Sequence, residues 1–351
     1  MAEKMLAAVY HGPKDLRLEE RPIPAIGPGE ALLKVVSTGI CGTDLRIFHG
    51  SHSKYTPGTV RIPGHEVVGD VLRVDDAVRG LEVGQRVFVA PNMGCGHCRQ
   101  CISGNNNLCA DYDAVGITLD GSFAGYMRIP AAAILQGNLI PIPKSVDPAA
   151  AALIEPFACV LRGQDVLCIQ PGETVLVIGA GPIGCMHTML AQLRGAGRVI
   201  VSELNPKRVE QAKDLGADRV VNSSKDDLAA VIKEETSGSG ADVIIVAAPA
   251  HGAQQSSLEL AAIQGRINFF GGLPKDLPTI QFNSNLVHYK ELIVTGTTAC
   301  STNDCRRAAD IVASKRIDLS KLVGARFALT EVLEAFKSAE KGNSLKVVME
   351  P

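Results

Sequence analysis

The sequence predicts an α/β protein of two domains: a β-rich, barrel-like part up to about residue 145, and a doubly wound parallel sheet from Thr174 to about Thr295. Three observations predict it. Short strand-like runs alternate with Gly/Pro turns in the first part, six apolar runs mostly separated by helix-length segments make up the second, and a Gly-x-Gly-x-x-Gly motif directly follows the first of those six. At 351 residues the chain exceeds one ordinary core and suits about two domains.

In chain order, the first part reads as strands at Leu6–Tyr10, Glu30–Ser37, Val67–Val74, Arg86–Ala90 and Gly125–Ile129. Asp147-Pro148 then reads as an N-cap followed by Pro at the first helical position. It opens an alanine-rich helix whose first segment reaches Glu155 before Pro156 perturbs it, and this helix is expected to bridge the domains. The six apolar runs are Val175–Ile178, Arg198–Val201, Arg219–Val221, Val243–Val246, Ile267–Phe270 and Leu292–Thr295. Buried parallel strands read as continuous runs of this kind. From about Thr302 come helical patterns at Asp304–Ser314 and Thr330–Lys341 and a strand near Leu345–Met349. This tail is assigned back to the first domain, which gives boundaries of 1–158 with 302–351 for one domain and 159–301 for the other.

Composition narrows the function. A hydrophobic share of 46% with 35 Gly and 19 Pro describes a turn-rich globular chain, and a formal charge of -2 offers no footprint for nucleic acid. No stretch approaches the roughly 20 apolar residues of a membrane span, and the apolar run within Met1–Tyr10 is far too short for a secretory signal. A cytoplasmic location is expected. Ten cysteines in a reducing compartment read as metal ligands or inert core residues.

Four of those cysteines, Cys95, Cys98, Cys101 and Cys109, stand at C-x2-C-x2-C-x7-C spacing among the turn formers Gly94, Gly96, Gly104 and Asn105–Asn107. Such a loop closes around a metal. Iron–sulfur proteins also begin C-x2-C-x2-C, but their fourth cysteine follows after three residues and precedes Pro, whereas Ala110 follows here. Zinc bound by four thiolates, with no open position and a structural role, fits better. A second constellation combines Cys41, in Cys41-Gly42-Thr43-Asp44, with Gly64-His65-Glu66. Sulfur, imidazole and carboxylate together suit a catalytic zinc, which takes three protein ligands and leaves one position open.

The glycine motif is Gly179-Ala180-Gly181-Pro182-Ile183-Gly184, and a helix is expected from Pro182 to about Leu193. Gly179 permits the tight turn, Gly181 lets a pyrophosphate approach the backbone, and Gly184 lets helix and strand pack closely. Glu203 follows Gly184 by nineteen positions at the end of the second strand, where a carboxylate can accept from the ribose hydroxyls. That favours NAD over NADP. Arg208 is near enough to approach an adenosine phosphate and would soften the preference.

Taken together, these segments resemble the zinc-dependent medium-chain dehydrogenase/reductase superfamily, and within it the polyol branch typified by sorbitol (L-iditol) dehydrogenase. The resemblance covers essentially the whole chain and rests on Cys41 to Asp44, Gly64-His65-Glu66 with Gly69, the four-cysteine lobe, Glu155-Pro156, the glycine motif and Ser202-Glu203-Leu204-Asn205 through Arg208. It implies a GroES-like catalytic domain with a Rossmann cofactor domain inserted in it, and two zinc ions per chain. Cys41 and His65 match the catalytic zinc ligands, while Glu66 and Glu155 match two acids that share or exchange the remaining protein position. Asp44 matches a carboxylate that orients the histidine, and Thr43 a first relay for the substrate proton. Gly272, Leu273, Thr297 and Thr298 fall where nicotinamide contacts are made. The implied activity is reversible, NAD-linked oxidation of a secondary hydroxyl of a polyol to a ketose by a homo-oligomer, either tetramer or dimer. Ala299 stands where animal sorbitol dehydrogenases carry a polyol-binding arginine, so L-threonine or another amino alcohol, or a polyol phosphate, stands as the alternative substrate.

Overall fold

Backbone pairing sorts the strands into sheets that belong to two separate compact units. The computed structural model describes residues 3–351. One unit holds the described chain up to Ala158 together with Cys300–Pro351, and the other holds Cys159–Ala299.

In the first unit the strand Ala31–Gly39 is the hub. Antiparallel neighbours on it are Glu66–Val74, Tyr126–Ile129 and Lys346–Glu350, and the sheet extends outward to Val323–Ala328 on one side and through Arg86–Val89 to Leu139–Pro141 on the other. Only Lys34 of this hub strand is exposed. Ala31, Leu33 and Val35 of this strand belong to one of two cores in the unit. One core gathers Ile47, Tyr55, Phe123 and Phe336, and the other Leu33, Val67, Met127 and Ile129. A two-stranded pairing of Asn92–Met93 with Asp113–Ala114 pinches off the loop that carries the four cysteines.

Several elements differ from the sequence reading, among them the sheet strands Leu139–Pro141 and Val323–Ala328, which it did not give. Asp15–Pro22 forms an antiparallel hairpin with Lys4–Gly12 that the sequence did not suggest, because its residues, DLRLEERP, are largely charged and only Leu16 is fully buried. The alanine-rich segment is two helices, Pro148–Ala152 and Ile154–Asp165. Asp147 caps the first by accepting from the Ala149 amide at 3.2 Å. Leu153 ends it, and Pro156 sits in the first turn of the second helix, where its missing N–H would have had no partner in any case. Proline therefore opens a new helix here and does not distort an old one.

The second unit is a six-stranded sheet in which every pairing is parallel. Numbered in chain order, its strands lie in the spatial order 3-2-1-4-5-6. The first strand, Thr174–Ile178, is central and buried from Val175 onward, as a strand covered by helices on both faces must be. The direction of winding reverses beside it, which opens a crevice at its C-terminal end. The fifth strand, Ala261–Phe269, begins well before the Ile267–Phe270 run, because Gln264 and Gly265 interrupt the apolar pattern. No helix among the described residues is long and apolar enough to cross a membrane.

Candidate metal centres and dinucleotide site

Within the cysteine loop, Cys98 caps the short helix Arg99–Ile102, which turns Cys101 back toward it. The Sγ atoms of Cys98 and Cys101 are 3.5 Å apart, those of Cys98 and Cys109 3.8 Å, and those of Cys95 and Cys101 4.0 Å. A regular tetrahedron with zinc–sulfur bonds of about 2.3 Å has edges of about 3.8 Å, so the four sulfurs already hold the spacing of a ZnS4 centre. Backbone amides face two of the sulfurs. Cys101 N–H points at Cys98 Sγ at 3.5 Å and pulls that thiol down to about 7, and Cys95 N–H points at Cys109 Sγ at 3.4 Å. Gly94 has to be glycine, since a Cβ there would collide with Cys101 Sγ. Gln136, which the sequence did not single out, clamps this backbone by accepting from Gly94 N at 3.0 Å and donating to Gly94 O at 2.7 Å.

Cys41, His65 and Glu66 form the second cluster, with their donor atoms all within 4.8 Å of one another. Cys41 stands at the N-terminus of the helix Gly42–Phe48, and Glu66 opens the strand Glu66–Val74 opposite Gly39. Fully buried Asp44 ties the two segments together. One of its oxygens accepts from Cys41 N at 2.8 Å, and the other lies 3.4 Å from His65 Nδ1, a charge contact longer than a formed hydrogen bond. Burial works against a charged imidazole, but Asp44 and then Cys41 outweigh it and hold the His65 ring well above its usual range. A cluster that retains a proton this tightly is one in which a divalent cation can replace it. Thr43 lies one residue before Asp44, and its Oγ1 accepts from Arg46 Nη2 at 2.9 Å.

Glu66 has a partner that sequence reading missed. The Nζ of buried Lys346 donates to both of its carboxylate oxygens, at 2.7 and 2.5 Å, and to Ile40 O at 3.0 Å. The only signal in the sequence was a lysine inside the apolar run Leu345–Met349. Glu155 does not join the Cys41, His65 and Glu66 group; its Oε1 lies 3.7 Å from the Sγ of buried Cys300.

In the Cys159–Ala299 unit, the crevice beside the first strand is a cavity of about 640 Å³. Gly179, Gly181, Pro182, Ile183, Gly184, Glu203 and Arg208 all line it. Pro182 is the first residue of the helix Pro182–Leu193, and a Cβ on Gly184 would collide with the Gly179 carbonyl, so only glycine lets this helix approach the strand. Its free N-terminal amides face the crevice and suit a pyrophosphate. Glu203 is more committed than its position in the sequence suggested. Its carboxylate accepts from Ala180 N at 2.7 Å, Leu204 N at 2.8 Å and Asn205 N at 2.9 Å, which stitches the glycine loop to the following turn. Gly272, Leu273, Thr297 and Thr298 follow the fifth and sixth strands and do not line this cavity.

Residues 27–144 match the alcohol dehydrogenase GroES-like domain, and residues 182–314 match the zinc-binding dehydrogenase family. The chain is 33% identical to the sorbitol dehydrogenase of Bacillus subtilis (strain 168), over 99% of this chain and 98% of that one. This is a zinc-dependent medium-chain dehydrogenase of the polyol branch. The dehydrogenase is also 34% identical to the L-threonine 3-dehydrogenase of Pyrococcus horikoshii, over 99% of each chain. Its fold matches a zinc-binding dehydrogenase of Sinorhizobium meliloti 1021 bound to NADP, with a TM-score of 0.91 and 32% identity over 99% of this chain and 100% of that one. It is an oxidoreductase that acts on an alcohol with a nicotinamide cofactor.

Proposed function

We propose that the enzyme oxidises a secondary hydroxyl of a polyol to a ketose, reversibly and with NAD. The observation that supports this reading is carboxylate chemistry at the metal cluster: the resemblance puts Glu155 near where alcohol dehydrogenases of the superfamily carry a cysteine ligand, and Glu66 stands beside Cys41 and His65. A carboxylate leaves a more polar, wetter site, which suits a substrate rich in hydroxyls. Cys41, His65 and a carboxylate from Glu66 or Glu155 would hold the catalytic zinc, and Cys95, Cys98, Cys101 and Cys109 the structural one. Zinc held by Cys41, His65 and that carboxylate would supply Lewis-acid polarisation of the substrate hydroxyl.

The chain's own residues do the rest. Asp44 faces the Nδ1 side of His65 at 3.4 Å, so Nε2 would be the ligand atom. The Thr43 hydroxyl accepts from Arg46, so its own hydrogen is available to hand on and its oxygen to take the substrate proton in turn. Lys346 cancels the charge of Glu66. The helix Pro182–Leu193 receives the pyrophosphate, and Glu203, with three of about four acceptor positions filled, keeps one for a ribose hydroxyl. Gly272, Leu273, Thr297 and Thr298 contact the nicotinamide. The enzyme works in the cytoplasm as a homodimer or homotetramer.

A second reading, oxidation of an amino alcohol at its secondary hydroxyl, is supported by the threonine dehydrogenase relative, whose identity and coverage equal those of the sorbitol dehydrogenase within a point. Comparing kcat/KM for a panel of polyols, polyol phosphates, L-threonine and ethanol with NAD decides between them. A polyol should lead. If L-threonine leads, the second reading holds, and if ethanol exceeds them all, both fail.

A further inference from the structure

The cysteine lobe is tied to the rest of its unit by a buried asparagine that belongs to neither metal cluster. Asn106 opens the short turn Asn106–Leu108, and its carbonyl accepts from Cys109 N at 3.2 Å, which joins it directly to a cysteine of the lobe. Its side chain is fully committed. Oδ1 accepts from Thr302 N at 3.0 Å, while Nδ2 donates to Asn92 O at 2.8 Å and to Thr302 Oγ1 at 3.1 Å. The amide can point only this way, because the Thr302 N–H can only donate and the Asn92 carbonyl can only accept.

Thr302 is the first residue of the helix Thr302–Ala313, and its amide is one of four that a helix leaves without an internal partner. Ser301 and Asp304 satisfy two other amides in a capping box: Asp304 N donates to Ser301 Oγ at 3.2 Å and Ser301 N to Asp304 Oδ2 at 2.9 Å. Thr302 N is left to Asn106. The lobe thus completes the cap of a helix 196 residues further along the chain. The same contacts reach Cys300. Asn92 Nδ2 donates to Cys300 O at 2.9 Å, and Asn92 O accepts from Asn138 Nδ2 at 2.7 Å as well as from Asn106. Cys300 is 0% exposed, with Sγ 3.7 Å from Glu155 Oε1 and 3.8 Å from Glu155 O.

We propose that Asn106 is a positioning residue for Glu155, through which the cysteine lobe holds the turn of Cys300 to Thr302 against that carboxylate. The consequence for turnover rests on the reading that Glu155 serves the zinc of Cys41 and His65. Asparagine is specific to the task. Aspartate has no hydrogen for Asn92 O, and serine has no second donor. Zinc held by Cys95, Cys98, Cys101 and Cys109 would fix Asn106 through the Cys109 amide, and the lobe then acts on a carboxylate outside itself.

Hydrogen exchange at the Thr302 amide and alkylation of Cys300 by iodoacetamide, both located by mass spectrometry of peptides from the full zinc-loaded chain, test this beside kcat and KM. In Asn106→Ala the lobe should keep its zinc, while Thr302 exchanges and Cys300 is alkylated about tenfold faster than in the native protein. The kcat should fall about 10–100-fold with KM for NAD unchanged. In a Glu155→Gln background the same substitution should lower kcat no further, because an effect carried by Glu155 cannot be lost twice. Native exchange at Thr302 with native protection of Cys300 overturns the proposal, and so do kcat losses that add in the double variant. If Glu155→Gln is as active as the native enzyme, the reading of Glu155 at the zinc fails, and exchange and alkylation alone decide whether the lobe holds the turn. Should Asn106→Ala not fold, native protein stripped by a chelator and reloaded with one or two equivalents of zinc gives the answer. Thr302 and Cys300 should be protected only when the four lobe cysteines are, and protection that ignores the lobe's zinc overturns the proposal.

Discussion

Glu66 and Lys346 are 0% and 6% exposed, so neither charge can be relieved by solvent. Removing one partner of such a pair leaves the other buried and uncompensated, at a cost of about 3–5 kcal/mol. Lys346→Met should therefore lose about that much stability in urea unfolding and bind the catalytic zinc less selectively; a variant as stable as the native chain would show that Glu66 is neutral without it. Glu203 makes a second residue-scale case. Glu203→Ala should shrink the ratio of kcat/KM for NAD over NADP, and it should also lower the melting temperature without cofactor, because three backbone amides lose their acceptor. An unmoved cofactor ratio would mean that this carboxylate holds the loop and does not read the ribose. That the loop's four cysteines come together, and Cys41 with His65, was legible because their chemistry is unusual at that spacing. Lys346 was not, because it meets Glu66 across 280 residues of sequence and no local pattern reports such a pairing.

The cysteine lobe and the Cys41 cluster are different kinds of element. The lobe has almost no apolar core of its own: Ile102 is 76% exposed and Leu108 42%, and its helices are one of four residues and one of three. Metal binding is then part of its folding energy, whereas the Cys41 cluster lies on strands and a helix that pack without it. Cys98→Ser should lower the melting temperature, and His65→Ala should abolish turnover while leaving the circular dichroism and melting of the fold nearly native. The reverse pattern would exchange their roles. The Pro182–Leu193 helix carries a pH dependence of its own. His187 is held at about 3 in the fold against a usual 6.5, so the unfolded chain binds the extra proton between those values. Stability should then rise with pH across that window, by up to ~1.4 kcal/mol per unit from this group, and be lost as pH falls toward 3. His187→Phe should remove about one proton from the pH slope of unfolding, and an unchanged slope would contradict a neutral buried ring. The Pro182–Leu193 helix was legible to the residue because Gly181-Pro182 fixes its start. The Pro148–Asp165 segment was not, because proline reads as a defect until the chain around it shows which helix it begins.

The whole chain should bind two zinc ions, and metal analysis of fully active protein that finds iron or a single zinc would refute that count. At this scale unbroken apolar runs gave the parallel sheet, and short strands between turns gave part of the mixed sheet around Ala31–Gly39 but not its strands Leu139–Pro141 and Val323–Ala328. Register and strand order could not be read, since they depend on contacts such as Val348 against Gly39 that join distant parts of the chain. That long closure affects how the protein is made. A growing chain exposes Glu66 early but cannot supply its ammonium partner until residue 346 has emerged, after the entire Cys159–Ala299 unit. The inserted unit is free to fold as soon as it is complete. The flanking parts must wait for it, so the carboxylate of the Cys41 cluster stays in water during synthesis and is buried only when its counter-charge arrives.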